Sequence, residues 1–159
     1  MLQVHIYEGP RDILQPLFEE ADDSAEQIAG YRELGEALVA TIDGAIVGHA
    51  LVVEAEEADT FEIKSFAVEE RRRSAGIGAA LVRQAAEHCV GRGGRRLIVA
   101  TAAASIPALQ FYQRQGFRIH HIIRDFYSPE RGYRPLELNG IPLRDEVILD
   151  LDLTRLAHA

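Results

Sequence analysis

Arg73-Ser74-Ala75-Gly76-Ile77-Gly78 joins two segments of opposite character and decides how this chain folds. The segment before it, Phe61–Val68, is rich in β-favouring residues and predicts a strand. After it, an apolar residue recurs at every fourth position, as on one face of a helix: Ile77, Leu81, Ala85 and Cys89. A glycine-containing turn that leads into a helix exposes unpaired backbone N–H groups at the positive end of the helix dipole. Because glycines also let a ligand approach the backbone closely, the stretch predicts a phosphate-binding turn.

The pattern Arg-x-x-Gly-x-Gly does not by itself identify the ligand. A dinucleotide-binding turn would have a third glycine or alanine three residues after Gly78, where this chain has Leu81. The Gly-Lys-Ser/Thr sequence of a nucleoside-triphosphate loop is also missing from the stretch. A glycine-rich turn with a purely structural role is the alternative at this point.

The residues that follow predict another strand and another helix. Gly91-Arg92-Gly93-Gly94 suits the end of the first helix, and Arg95–Thr101 is typical of a short buried strand. Ser105 is a candidate cap for the next helix, since Pro107 suits a first turn. Gly116 ends that helix, and a further strand begins directly after it.

This order of elements resembles the GNAT (Gcn5-related N-acetyltransferase) superfamily. The resemblance rests on a strand, Arg-x-x-Gly-x-Gly, a helix, a strand, and then Ala-x-x-Phe-Tyr-x-x-x-Gly-Phe at Ala108–Phe117, and it covers residues 36–127. It implies the acyl-CoA N-acyltransferase fold, an α+β fold in αβα layers. In that fold a central, mostly antiparallel twisted sheet contains a splayed parallel strand pair.

The resemblance also implies an activity. A small stand-alone bacterial member would transfer an acetyl group from acetyl-CoA directly to a primary amine of a small molecule or peptide. An alternative is a domain that binds acyl-CoA without turnover, as a sensor or regulatory module. A nucleotide-binding module is disfavoured by the missing third glycine and lysine.

The rest of the chain completes such a fold. Asp43-Gly44 is a strong hairpin signal between two apolar strands. We expect a long loop through Leu143 before the last strand. The other predicted elements are strands at Val4–Ile6, Ala37–Ile42, Ile46–Val53, Phe117–Asp125 and Val147–Leu153, and helices at Arg11–Glu20 and Ser24–Tyr31.

Composition places limits on the class of protein. The chain has 159 residues, 47% of them hydrophobic, which suits one domain spanning 1–159. The net charge of −8 argues against a general nucleic-acid binder, and no apolar run is long enough to span a bilayer. The one cysteine, Cys89, allows no internal disulfide and is expected in the core, as in a cytoplasmic protein. We expect a monomer or a homodimer.

The six histidines show no spacing typical of a metal site, so no metal is expected. His120 and His121 are adjacent on a predicted strand and should point to opposite faces. Seven of the sixteen arginines fall between Arg71 and Arg96. They either create positive potential around a phosphate or simply keep a helix face solvated. Of these we expect Arg72 and Arg73 to contact phosphate.

The resemblance assigns most coenzyme contacts to the main chain. The backbone of Phe66 and Val68 would hold the pantetheine arm and the acetyl oxygen, and the amides from Arg73 to Ala79 would cover the pyrophosphate. Ser105 stands where the family often has a pantetheine-contacting asparagine, so weaker anchoring is expected. The implied acetyl-CoA-binding set is Phe66, Ala67, Val68, Arg72, Arg73, Ser74, Ala75, Gly76, Ile77, Gly78, Ala79, Ser105, Ala108 and Tyr112.

Two side chains are candidates for proton transfer. Tyr112 matches the family tyrosine that protonates the departing thiolate, and an unperturbed pKa of ~10 keeps it protonated. Glu62 resembles the glutamate that accepts the amine proton in the histone-acetyltransferase branch, and the two-residue period places it on the same face as Phe66. The alternatives are a core aromatic for Tyr112, and for Glu62 a solvated carboxylate or a partner of Lys64, with water as the base.

Two acidic regions suggest the kind of acceptor. In the family, the N-terminal helices and the loop before the last strand shape the acceptor pocket. Acidic rims there would attract a cationic amine such as a polyamine, an aminoglycoside or a basic peptide. The residues are Glu19, Glu20, Asp22, Asp23 and Glu26 in the first region, and Glu54, Glu56, Glu57 and Asp59 in the second. An ordinary solvated surface is the alternative for each of them.

Overall fold

The computed structural model describes residues 1–73 and 75–156, so the prediction for Ser74 lies outside the described residues. The strands are β1 (Leu2–Tyr7), β2 (Glu36–Ile42), β3 (Ala45–Glu54), β4 (Thr60–Val68), β5 (Arg96–Ala102), β6 (Arg118–Ile123), β7 (Glu137–Leu138), β8 (Ile141–Pro142) and β9 (Glu146–Asp152). The helices are α1 (Gln15–Ala21), α2 (Ala25–Tyr31), α3 (Ile77–Gly91) and α4 (Ile106–Arg114). Short 3-10 turns lie at Arg11–Leu14, Glu70–Arg72 and Pro129–Arg131.

Seven of the described strands form one sheet in the order β1-β2-β3-β4-β5-β9-β6. All neighbours in it are antiparallel except β4 and β5, which are parallel and connected through α3. One face of the sheet packs against α3 and α4, and the other packs against α1 and α2. The predicted α+β fold in αβα layers is therefore confirmed.

The predicted apolar stripe of α3 is the centre of the larger core. Ile77, Leu81, Ala85 and Cys89 are each at most 2% exposed and pack on the sheet. Burial raises the pKa of the Cys89 thiol to about 12, as suits an unreactive core residue. In the described part of the chain, no helix is long and apolar enough to cross a membrane.

Glycine turns begin and end the elements as predicted. Asp43 and Gly44 both have positive φ, 50° and 82°, which closes the β2–β3 hairpin as a type I′ turn. Helix α3 ends in a Schellman motif, since Gly94 N–H donates to Cys89 O at 2.7 Å and Gly93 N–H donates to Val90 O at 3.0 Å.

Strands β4 and β5 pair over a short distance and then separate. Their register runs from Thr60 opposite Arg96 to Ile63 opposite Val99, and no pair between the two strands follows. Each strand keeps its other neighbour, because β3 pairs with β4 up to Val68 and β9 pairs with β5 up to Ala102. A gap therefore opens inside the sheet, as expected for the splayed parallel pair.

A β-bulge in β4 lies where the gap begins. Leu51 of β3 pairs with Ser65 and the next residue, Val52, pairs with Ile63, so Lys64 is an extra residue. Lys64 and Ser65 consequently both face α1 and α2. The Lys64 ammonium lies 5.6 Å from the centre of the Tyr31 ring. The Ser65 hydroxyl is 2.8 Å from His49 Nε2, whose ring packs on Phe18 of α1.

This bulge reverses the alternation of side chains along β4. Ile63 before it and Phe66 after it both pack in the core under α3 and α4. Glu62, the neighbour of Ile63, therefore points to the opposite face. The prediction that Glu62 shares the face of Phe66 is wrong, because the extra residue shifts the two-residue period.

The chain after β5 departs from the sequence prediction in two places. The expected long loop through Leu143 contains a small hairpin of β7 and β8, closed by Asn139 and Gly140 with φ of 51° and 82°. The rings of His120 and His121 do not point apart, since their Nδ1 atoms are 2.7 Å from each other. An irregular register between Ile119 and His121 brings the two rings together.

The hairpin turn makes a testable prediction about backbone strain. Replacing Gly44 with alanine should lower the free energy of unfolding by about 1–2 kcal/mol, because φ is positive there although no atom would contact the added Cβ. Gly30, in helix α2, is equally unobstructed but has no positive φ. Gly30→Ala should therefore stabilise by about 0.5–1 kcal/mol. Urea denaturation measures both changes, and equal effects would show that φ is not the cause.

Candidate functional site

A cleft of about 800 Å³ occupies the gap between β4 and β5. The end of β4, the beginning of α3 and one side of α4 form its walls. The predicted coenzyme residues that line it are Phe66, Ala67, Val68, Arg73, Gly76, Gly78, Ala79, Ser105, Ala108 and Tyr112. Three others do not line it: Arg72 and Ala75 are exposed outside the cleft, and the Ile77 side chain is buried in the core.

The N-terminus of α3 presents free amides at this cleft. The first hydrogen bond of the helix runs from Ala80 N–H to Gly76 O at 3.1 Å, so the amides of Ile77, Gly78 and Ala79 precede the helical ladder. Gly76 caps the helix with a φ of 80° and contributes no side chain. With the dipole of a 15-residue helix behind them, these amides suit an anionic group. Ile77 thus contributes its backbone and not its side chain.

Gly78 is a glycine because of packing as well as ligand access. A Cβ built on Gly78 would lie 3.0 Å from the ring of Phe111 on α4. The absence of that atom lets α4 approach the start of α3. The cleft is consequently closed at this side by contact between two helices.

Of the two arginines expected to contact phosphate, Arg73 lines the cleft, and Arg114 of α4 lines it as well. The Arg73 Nε donates to Val68 O at 3.2 Å and its Nη2 pairs with Glu20 Oε2 at 3.0 Å. The side chain is 52% exposed, so this ion pair is open to solvent and easily exchanged. Arg73 can therefore turn to an anionic ligand at little cost.

Tyr112 lies deep in the cleft within an aromatic cluster. Its ring meets those of Phe66, Phe111 and Phe117 edge-on at 5.9, 5.2 and 5.6 Å. Among the described residues its hydroxyl makes no hydrogen bond, although the residue is only 6% exposed. Burial raises the pKa of Tyr112 above its ordinary value, so the phenol keeps its proton at neutral pH. It can act as a proton donor in the cleft.

Ser105 lies where the cleft meets a second cavity. It precedes α4 at the predicted cap position, but its side chain makes no capping hydrogen bond. It lines both cavities, so its hydroxyl is available to a ligand.

The second cavity has a volume of about 450 Å³, and its lining includes five acids and three tyrosines. Lys64, Arg73, Ala100 and Thr101 line both cavities, so a molecule in one can reach the other. The carboxylates are Glu20, Asp22, Asp23, Glu62 and Glu146, and the tyrosines are Tyr31, Tyr127 and Tyr133. Glu62 therefore faces this cavity and not the coenzyme side of β4.

Burial raises the pKa of two acids of this cavity, Glu62 and Glu146. The pKa of Glu62 is raised by burial, although Lys64 opposes the shift. Glu146 is 7% exposed, and burial raises its pKa to about 7. Glu146 can therefore accept a proton near neutral pH, and the raised pKa makes Glu62 a stronger base than an ordinary glutamate.

Asp22 holds the wall of the second cavity together. Its carboxylate accepts hydrogen bonds from the Tyr31 hydroxyl at 2.9 Å and from the Tyr133 hydroxyl at 2.8 Å. It also accepts from the backbone N–H of Ser24 at 3.0 Å. One carboxylate thus ties the α1–α2 connection to the segment after β6.

The predicted acidic regions are only partly at the site. From the first region Glu20, Asp22 and Asp23 line the second cavity, whereas Glu19 and Glu26 do not. The second region lies outside both cavities, and two of its members form ion pairs: Glu54 with Arg92 and Glu57 with Arg96. These acidic residues and arginines therefore pair with each other at the surface and do not contribute to the site.

Sequence reasoning missed several residues of the second cavity. Glu146, Tyr31 and Tyr133 come from three segments far apart in the chain, and no local pattern marks them as a group. The position of Glu146 immediately before the predicted last strand was the one available signal. Within residues 1–73 and 75–156 no group of three or more His, Cys, Asp or Glu side chains could hold a metal ion.

Comparison with known proteins identifies the class to which this fold and cleft belong. The model of the acetyltransferase (GNAT) family matches residues 5–117. An uncharacterized N-acetyltransferase of Bacillus subtilis, YvbK, is 34% identical over 152 residues, covering 96% of this chain and 97% of the relative. The chain therefore belongs to the GNAT acetyltransferase family.

Solved structures support the same assignment. A Bacillus subtilis acetyltransferase in complex with CoA is 32% identical with a TM-score of 0.86, and the match covers 96% of this chain and 99% of that one. A GNAT acetyltransferase from Elizabethkingia anophelis with acetyl-CoA bound is 28% identical with a TM-score of 0.87, covering 95% and 97%. The expected acyl-CoA N-acyltransferase fold is thus confirmed.

The contacts of Asp22 predict how much this residue contributes to the free energy of unfolding. Asp22→Ala leaves the hydroxyls of two buried tyrosines without their acceptor, which should cost about 1–3 kcal/mol in unfolding free energy. Asp23→Ala, next to it in the same cavity wall but exposed, should change stability by less than about 0.5 kcal/mol. Chemical denaturation compares the two, and similar losses would show that Asp22 does not stabilise the wall.

Proposed function

We propose that this protein transfers an acetyl group from acetyl-CoA directly to a primary amine, with Tyr112 as the acid and Glu62 as the base. The observation that carries the proposal is the arrangement of two connected cavities around the gap between β4 and β5. One contains the α3 amides and Tyr112, and the other contains Glu62 and the acidic lining. A donor and an acceptor can therefore meet from opposite faces of the same gap.

The residues of the cleft fit acetyl-CoA. Beyond Ile63 the β5-facing edge of β4 has no strand partner, so the backbone of Phe66 and Val68 can bond the pantetheine arm and the acetyl oxygen. The α3 amides suit the pyrophosphate, and Arg73 can add a charge. Ser105 offers one hydroxyl to the pantetheine. The relatives solved with CoA and acetyl-CoA support this use of the cleft.

The residues account for every proton in the transfer. The amine nitrogen forms a bond to the thioester carbonyl carbon as the carbon–sulfur bond breaks. Glu62 accepts the proton that the amine loses, and its raised pKa makes it a stronger base than an ordinary glutamate. Tyr112 donates its phenolic proton to the departing sulfur. Solvent then returns a proton to Tyr112 and takes one from Glu62.

The acceptor cavity favours a cationic amine. Five carboxylates line it against the two cations Lys64 and Arg73. Their potential would attract an ammonium group and repel an anionic acceptor. A non-catalytic acyl-CoA sensor is the competing function. A sensor, however, has no need of an acid in the cleft or of a base in a connected cavity.

The decisive test concerns Tyr112. Wild-type protein should release coenzyme A thiol from acetyl-CoA when primary amines are added, and Tyr112→Phe should lower kcat on the order of 10²–10⁴-fold. Binding of acetyl-CoA by calorimetry should change little, because the ring and its aromatic contacts stay.

Tyr7→Phe is the matched control, since the Tyr7 hydroxyl bonds Pro10 O outside both cavities. A fall of less than about threefold for folded Tyr112→Phe would make Tyr112 a core aromatic rather than the acid. Acetyl-CoA binding by the wild type without turnover of any amine would favour the sensor.

The base is tested by a pH profile. Glu62→Gln should lower kcat/KM on the order of 10²-fold where the amine is largely protonated, and by much less above the pKa of the amine, near ~10 for an alkylamine. A positioned base matters most when it must remove a proton. An unchanged profile of kcat/KM against pH would leave Glu62 as a wall residue and water as the base.

A further inference from the structure

Glu146 is a buried acid whose position the proposed mechanism does not use. It begins β9, opposite Ala102 of β5 and Ile123 of β6, and is 7% exposed. Within the described part of the chain it is the one acidic residue among the buried side chains, and no cation lies within 4.0 Å of its carboxylate. Tyr127 lines the same cavity, and its hydroxyl lowers the pKa of Glu146.

A buried carboxylate without a counter-ion is costly in its ionised form. The charged groups that act on Glu146 are Lys64 and Glu62 from β4 and Arg131 from the segment after β6. Lys64, the cation with the larger effect, rests over the face of Tyr31 and makes no ion pair among the described residues. The position next to Glu146 therefore suits a cation that the protein itself does not supply.

That cation can enter through the second cavity, which Glu146 lines. Three tyrosine rings share the lining, and aromatic faces attract ammonium groups, as the placement of Lys64 over Tyr31 shows. The reacting amine must be neutral when it attacks the thioester, and its proton goes to Glu62 in the proposed function. A charge at Glu146 therefore has to be a different group of the acceptor, one that stays protonated.

We propose that Glu146 binds a second ammonium group of the acceptor, so that the substrate class is a diamine or polyamine. This inference rests on the proposed function for the reacting amine. Glu146 acts as a specificity residue: it pairs with the distal cation while the near amine reaches the gap between β4 and β5.

The proposal predicts a pH dependence of acceptor binding. Burial raises the pKa of Glu146 to about 7, so in the free protein the carboxyl is increasingly neutral as pH falls below 7. A bound ammonium stabilises the ionised form and must displace that proton. Diamine affinity should therefore be nearly constant from pH 7 up to the pKa of the ammonium group, near ~10, and should weaken below pH 7 by up to about tenfold per pH unit.

Calorimetry with matched amines tests this directly. Putrescine, cadaverine and butylamine are titrated into protein held with excess coenzyme A, above and below pH 7. At the higher pH we expect at least one diamine to bind about ten- to a hundredfold more tightly than butylamine. In Glu146→Gln this preference and its pH dependence should be lost, and in Glu62→Gln both should persist.

Two further variants separate binding from folding. Glu87→Gln removes one negative charge from an exposed position on α3 outside both cavities, and should behave as wild type. Tyr127→Phe removes the hydroxyl that lowers the pKa of Glu146, so the affinity midpoint should move to higher pH while the diamine preference stays.

The proposal is overturned if neither diamine binds more tightly than butylamine, or if the preference survives in folded Glu146→Gln. Coenzyme A binding in the same titrations, and acetylation of butylamine, test the transferase function separately. A protein that acetylates butylamine but shows no diamine preference would keep the proposed function and refute the role of Glu146.

Discussion

The separation of β4 from β5 after Ile63 and Val99 is the constraint on which the rest of the site depends. A parallel pair that continued to the strand ends would bond the backbone of Phe66 and Val68 to β5 and leave no cleft. The bulge at Lys64 adds a residue on the β3 side where the strands part. It increases the local twist of β4 and keeps its pairing with β3 intact. The sheet thus remains continuous on both sides of the gap.

The same bulge divides the chemistry between two faces. Phe66, after the bulge, faces α4 and the aromatic cluster around Tyr112. Glu62 before it faces the acidic cavity under α1 and α2. In the proposed function, Tyr112 and Glu62 therefore act from opposite faces of the same gap. Burial raises the pKa of Tyr112 and of Glu62. The Tyr112 phenol therefore keeps its proton at neutral pH, and the Glu62 carboxylate is a stronger base than an ordinary glutamate.

Much of the coenzyme side could be predicted because its signals are local. The turn before α3, the stripe beginning at Ile77, and Gly116 after α4 act through neighbours in sequence, and each was found at its predicted place. The acceptor side could not be predicted in this way. More than a hundred residues of sequence separate Asp22 from Tyr133 and from Glu146. These residues come together only when the segment after β6 packs on α1 and α2. The bulge at Lys64 could not be predicted either, because the alternation of side chains along a strand does not show where an extra residue is inserted.

The sequence by itself determined the order of the elements other than the β7–β8 hairpin, the family, and the positions of the α3 amides and Tyr112. It could do so because glycine conformation and apolar periodicity depend on adjacent residues. The tertiary structure alone decided which face Glu62 occupies, that Arg73 and not Arg72 reaches the cleft, and that Glu146 lies buried in the wall of the second cavity. These facts depend on strand register and on packing between distant segments. A shift of one residue in register reverses the direction of every side chain that follows, and such a shift cannot be inferred from the amino-acid composition.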